Sequence, residues 1–244
     1  MSFAAESPLA RQVAGALDWW RTAGVDLAFT DEPQAWIVEE QQALAASQPA
    51  VFRPPVREEP RIQVGGAREA WPQSHGDFAA WWLGEPSLDQ GPPDRRVPPR
   101  GVPGAALLVL VEQPEEMDQA TLLSGPDGAL LNAFLDASGV DSVYFASVLP
   151  RHMPHPDWAT LAEHGLGEVL RHHLSLASPQ RILAFGGNIL PLLGHDPAKS
   201  PETLLQINPE GPQVATMVAR DLAAMRARPA WKAALWRRWL DWTG

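Results

Sequence analysis

The sequence predicts an α/β fold, a three-layer α/β/α sandwich around a mainly parallel central sheet. Three observations predict it. Ala105–Glu112 (AALLVLVE) is an unbroken apolar run, as a strand buried on both faces requires. Two more strand-like runs follow, Ser142–Leu149 and Arg181–Phe185, each after an interval long enough to hold a helix. The intervals themselves carry helical periodicity. Strands alternating with helices imply right-handed crossovers that cover both faces of one sheet.

The chain divides into three stretches. Residues 1–37 read as an N-terminal amphipathic docking segment. Ser7-Pro8 suits an N-cap followed by proline at the first helical position. Leu9, Val13, Leu17 and Trp20 then recur on one helical stripe, with Trp19 beside it, and Gly24 is a plausible stop. Val25, Leu27 and Phe29 alternate beyond it, Pro33 ends that run, and the segment closes near Trp36 and Ile37. An isolated helix of this length is marginal in water unless its stripe is covered. Its cover is either a partner protein or the chain's own sheet. Candidate partner-binding residues are Leu17, Trp19, Trp20, Val25, Phe29 and Trp36.

Residues 38–104 read as a proline-rich linker or as a loop wrapped on the later domain. Pro54-Pro55, Pro92-Pro93 and Pro98-Pro99 are strong breakers. One island, Phe78–Leu83, can form a short helix bearing Trp81 and Trp82.

Residues 105–244 form the α/β domain. After the first strand, Gly128–Ser138 is helical through Leu130, Leu131, Phe134 and Leu135. Trp158–Leu176 is expected as one long helix, and Arg181–Phe185 as a strand that meets Gly186-Gly187 and then a short helix, Asn188–Leu193. Thr203–Ile207 and Gln213–Met217 are weaker strands. Two helices separated by Pro229 end the sequence, and no internal repeat is present.

Composition narrows the chemistry. The 244 residues include no cysteine, which removes disulfides, thiolate metal sites, cysteine nucleophiles and cysteine-ligated iron–sulfur clusters. A net charge of -10 disfavours a protein that holds DNA chiefly through phosphates. No apolar run is long enough to span a bilayer, and Met1–Ala10 lacks the pattern of a signal peptide, so a cytoplasmic location is expected. His152 and His155 give an H-x-x-H spacing, with His172-His173 further on. A proline-rich loop with surface histidines is the preferred explanation, and no metal or cofactor is expected. Gly186-Gly187-Asn188 suits an anion or a structural strand-to-helix turn. Trp231, Trp236, Trp239 and Trp242 lie among Lys232, Arg237 and Arg238. Some of these tryptophans must pack on the sheet, and the rest could offer a basic aromatic surface.

From Ala105 onward the order of signals resembles the uracil-DNA glycosylase superfamily, most of all its bacterial iron–sulfur branch. The first strand leads into Val111-Glu112-Gln113-Pro114-Glu115, where that branch has G-E-x-P-G. Gly125–Gly128 precedes a helix, Val143–Pro156 holds a strand and a proline-rich turn with Ser147 near the family's asparagine, and Ala184-Phe185-Gly186-Gly187 ends the third strand. The resemblance implies a carboxylate or amide in the first loop that positions water, a histidine in a late H-P-[SA] loop, and an asparagine that reads the flipped base. Of the first loop only Glu112 and Pro114 remain. Val111 and Glu115 replace the two glycines, the late loop expected within Thr216–Asp221 has no histidine, and the cluster cysteines are gone. Glu112, Pro114 and Ser147 are therefore expected as vestigial positions of a domain that does not cut a glycosidic bond. A second acid at Glu115 would also repel an anion.

The ends of the chain resemble the psi subunit of the bacterial DNA polymerase III clamp loader, a glycosylase-like fold without enzymatic activity. Trp19-Trp20, Gly24-Val25, Phe29-Thr30 and Pro33 follow the order of its collar-docking segment. Met225-Arg226-Ala227-Arg228-Pro229 leading to Ala233-Ala234-Leu235-Trp236 matches its ending. The stretch between Trp36 and Pro103 departs from the compact psi pattern. The resemblance implies a non-catalytic interaction subunit of DNA replication. Its partners would be the gamma/tau ATPase subunits, the chi subunit and, through chi, single-stranded-DNA-binding protein. The alternative is a divergent uracil-DNA glycosylase that excises a damaged base.

Overall fold

The computed structural model describes residues 8–22, 63–195, 204–207 and 211–244. The chain forms two compact units, Met1–Arg57 and Glu58–Gly244. In the first, helix α1 spans Pro8–Thr22. The side chains described on it are exposed, including the stripe residues Leu9, Val13, Leu17 and Trp20. Trp19 is exposed as well. Val25, Phe29 and Trp36 lie outside the described residues.

Among the described residues the second unit has five strands: β1 (Leu107–Val111), β2 (Val143–Ser147), β3 (Arg181–Phe185), β4 (Leu204–Ile207) and β5 (Val214–Ala219). Their order is β2-β1-β3-β5-β4. β1 runs parallel to β2 and β3, β3 runs parallel to β5, and only β4 is antiparallel to its neighbour. Every residue of β1 is buried, because the strand is central and covered on both faces.

Alternation along β1 divides the core in two. Leu108 and Leu110 join a layer made with α2 (His75–Gly84), α4 (Trp158–Glu163), α5 (Leu166–Ala177) and α6 (Ile189–Leu192). Leu107, Val109 and Val111 join the opposite layer, made with α3 (Pro126–Ser138), α7 (Leu222–Ala227) and α8 (Pro229–Thr243). The three-layer α/β/α sandwich with a mainly parallel sheet is thus observed. α5 shows how the sequence makes such a layer: Leu166, Val169, Leu170, Leu174 and Ala177 recur at helical spacing and are all buried.

Residues 63–104 belong to this same unit. Val64, Trp71, Phe78, Trp82 and Leu88 are buried in the first layer and Val97 in the second. The indole N–H of Trp82 donates to the Val97 carbonyl at 3.0 Å, and that of Trp71 to the Gly65 carbonyl at 2.7 Å. The guanidinium of Arg96, almost fully buried, pairs with Asp89 at 2.7 Å and donates to the Glu85 carbonyl at 2.6 Å. Asp89 also binds Arg151 across the fold at 2.5 Å. Arg100 and Phe145 exchange two backbone hydrogen bonds, of 3.0 and 2.7 Å, on the outer side of β2.

Two local expectations are corrected. The long helix after β2 is two helices, α4 and α5, because Gly165 takes φ +93°, a left-handed conformation that interrupts the helix. Thr216–Ala219, expected in a late loop, continues strand β5 in register with Ile182–Phe185. The loop proper is reduced to Arg220-Asp221, where Asp221 caps α7 by accepting from the Ala224 N–H.

Candidate functional site

β1 sits between β2 and β3, so the chain leaves it first to one side and then crosses to the other. Such a reversal opens a crevice beyond the carboxyl ends of the strands, where ligands of open α/β sheets bind. A cleft of about 430 Å³ lies there. Its lining includes Glu112 after β1, Phe185 at the end of β3, Asp221 after β5, and Glu115, Asp127, His152 and Arg226.

Glu112 leaves the end of β1 and reaches the turn after β3. Its Oε1 accepts from the Asn188 N–H at 2.8 Å and from the Asn188 side-chain amide at 3.0 Å. The close approach needs the glycine before it. Gly186 has φ +123°, and a Cβ there would sit 2.3 Å from the Glu112 carboxyl carbon. Burial pushes the Glu112 carboxyl above the usual range, Asn188 opposes that, and Asp221 adds to it.

Glu115 caps the start of α3. Its carboxylate accepts from the N–H groups of Gly125 at 3.0 Å, Asp127 at 3.0 Å and Gly128 at 2.9 Å, which are the free donors at the start of α3. Gly125 provides no side-chain cap, so the carboxylate arrives from another loop. Asp118 fixes that loop, accepting from the N–H groups of Glu115, Leu123 and Ser124 at 2.7–2.9 Å and from the Ser124 hydroxyl at 2.7 Å. Asp127 pairs with Arg226 across the cleft. Burial raises the Asp127 carboxyl, Arg226 opposes the shift, and Glu115 and Asp221 add to it.

The first loop is also clasped to the proline-rich turn. The Met153 N–H donates to the Gln113 side chain at 2.9 Å, and a His152 ring nitrogen lies 3.3 Å from the Pro114 carbonyl. The structure therefore brings Glu112 and Pro114 together on one cleft. Ser147 is buried at the end of β2, paired with Val111, and does not line it. Leu17, Trp19 and Trp20 are exposed on α1, in the other compact unit.

The histidines divide. His155 is exposed, and His172 lies 2.8 Å from the Pro72 carbonyl. His173 is a core residue rather than a surface one: it is stacked on Phe78 at 4.0 Å and hydrogen-bonded to the Tyr144 hydroxyl at 2.9 Å. Burial, then the neighbouring His75 and His172, lowers its pKa to about 3. Among the described residues, no group of three or more His, Asp or Glu side chains is arranged to hold a metal ion.

Asp127, Asp221 and Arg226 were not legible as site residues. The one available signal was the helix start Gly125-Pro126-Asp127, which lacks Ser or Thr and so needs an acceptor from elsewhere. Chemically, the cleft presents carboxylates that already use the backbone donors an anion would need. Among the described residues no helix is long and apolar enough to cross a membrane. No protein-family model matches this chain, and no curated protein matches it.

Proposed function

We propose that this chain is a non-catalytic interaction subunit of DNA replication, psi-like, which links a clamp loader to chi and single-stranded-DNA-binding protein. The observation that carries the non-catalytic half is the self-occupied cleft. A glycosylase must stabilise a departing base anion with donors left open for it. Here Glu115 takes the donors at the start of α3 and Glu112 takes those of Asn188. The exposed apolar stripe of α1 supports the interaction half, since a helix with such a face gains stability by burying it on a groove. The named partners rest on the resemblance of the chain's ends to psi. The test is size-exclusion chromatography of the purified chain with gamma/tau ATPase subunits and chi. Stoichiometric co-elution, lost on Trp20→Ala with Leu17→Ala, is expected. Failure to co-elute with any of them overturns the assignment of partners.

The cleft itself favours a second reading, a divergent glycosylase acting on a damaged base. It has the volume for a flipped base and a carboxyl with a raised pKa at its head. We expect no excision from single- or double-stranded uracil oligonucleotides at high protein concentration, judged by alkali cleavage on gels. Cleavage above buffer that disappears in Glu112→Gln would make the chain an enzyme.

A further inference from the structure

A second hollow, of about 380 Å³, opens between α3 and the α7–α8 pair. Its walls are apolar: Leu130 and Phe134 from α3, Met225 from α7, and Leu235 and Trp236 from α8. Among the described residues, Lys232 is the one charged residue that lines it.

The two closing helices that form one side of this groove are opposite in charge to the protein, whereas α3 on the other side adds Asp127, paired with Arg226, and Asp136. Residues 220–244 hold six of the nineteen basic residues and only two of the twenty-nine acidic ones. The two closing helices are thus net positive in a chain of net charge -10. The aromatic rings here are not free platforms for stacked bases. Arg220 and Arg228 lie 4.6 and 4.7 Å from the Trp231 ring, Trp236 meets Phe134 edge-on at 5.8 Å, and Trp239 is buried. A nucleic acid would need exposed ring faces. An apolar slot with Lys232 on its lining and net-positive helices on one side fits a peptide that carries apolar anchors among carboxylates.

We infer that the groove between α3 and the α7–α8 pair docks an acidic amphipathic peptide segment of a protein partner. Its apolar side chains pack on the faces of Leu130, Phe134, Met225 and Trp236 that line the groove, and its carboxylates meet Lys232. This inference rests on the groove and its charge alone and is independent of the clamp-loader reading.

The experiment is fluorescence anisotropy with the full chain and a fluorescein-labelled peptide that has leucine at i, i+3, i+4 and i+7 and glutamate elsewhere. Saturable binding that weakens with salt is expected, about tenfold weaker for Lys232→Glu. Ala233 is exposed on the groove, so Ala233→Trp blocks the slot without disturbing the core and should abolish binding; an unchanged melting midpoint shows that the variant is folded. A peptide with serine in place of leucine should not bind. Three results would each overturn the inference: no binding of the acidic peptide, equal binding of the serine peptide, or displacement of the peptide by oligothymidine at lower concentration than by unlabelled peptide.

Discussion

Glu115 does for α3 what a local Ser or Asp does for most helices, but from ten residues upstream of Gly125. Replacing it with alanine leaves three N–H groups at the helix start without their acceptor. Glu115→Ala should cost about 1–2 kcal/mol in urea unfolding, and Glu115→Gln less, since an amide oxygen can still accept. His173 sets a second expectation, in pH. Its folded-state pKa of about 3 lies below the ordinary value of 6.5. The unfolded chain therefore binds a proton that the folded chain does not. The stability His173 contributes is complete above the unfolded value and is lost as pH falls toward the folded one, by about 1.4 kcal/mol per pH unit. His173→Phe keeps the stack on Phe78 and removes the proton. Urea titrations between pH 7 and 4 should show a shallower decline for the variant; parallel declines would mean that His173 is not the group responsible. At this scale the sequence disclosed Glu112 and Pro114, because a motif holds them close together. It did not disclose the partners of Glu115, because a cap supplied across a loop leaves no fixed spacing to read.

Elements were legible where periodicity and burial agree. β1 and β3 are apolar runs because both of their faces are covered, and α1 shows its stripe because nothing else in Pro8–Thr22 is apolar in that pattern. The α4–α5 break was not legible. Leucines continue on both sides of Gly165, and a single glycine inside a helical pattern does not reveal that it will turn left-handed. Gly165→Ala should therefore destabilise, by about 1 kcal/mol, where alanine in an ordinary helix would stabilise. α1 behaves differently. Leu17 and Trp20 are about half exposed, so the double change to alanine removes little buried surface. The thermal midpoint of the purified chain should move by no more than about 0.5 kcal/mol would produce. A loss of several kcal/mol in the melt would mean that the stripe is part of a core, and the docking role would fall with it.

At the scale of the whole molecule, the α/β/α layering followed from the alternation of strands and helices, whereas the sequence left residues 63–104 open between a linker and a loop wrapped on the domain. Paired prolines mark breaks, and although Phe78 and Trp82 share one face of the short helix α2, Trp71, Leu88 and Val97 stand outside any helical or strand pattern. They pack because they wrap: Phe78 and Trp82 stack together against His173, and Val97 reaches the opposite layer. A fragment starting at Ala105 should consequently fail to fold, while one starting at Glu58 should give a cooperative melt close to that of the full chain; circular dichroism of the two distinguishes the outcomes. The bridge between Arg100 and Phe145 adds a further consequence. β2 is an outermost strand, and its free backbone groups are a template on which another molecule can add a strand. Arg100 takes two of those groups, and Pro98-Pro99 just before it cannot donate to any continuation. The proline-rich stretch thus acts as a guard against edge-to-edge aggregation, and cutting the chain between Arg100 and Ala105 should produce fibrillar or amorphous aggregates before it produces a soluble unfolded chain.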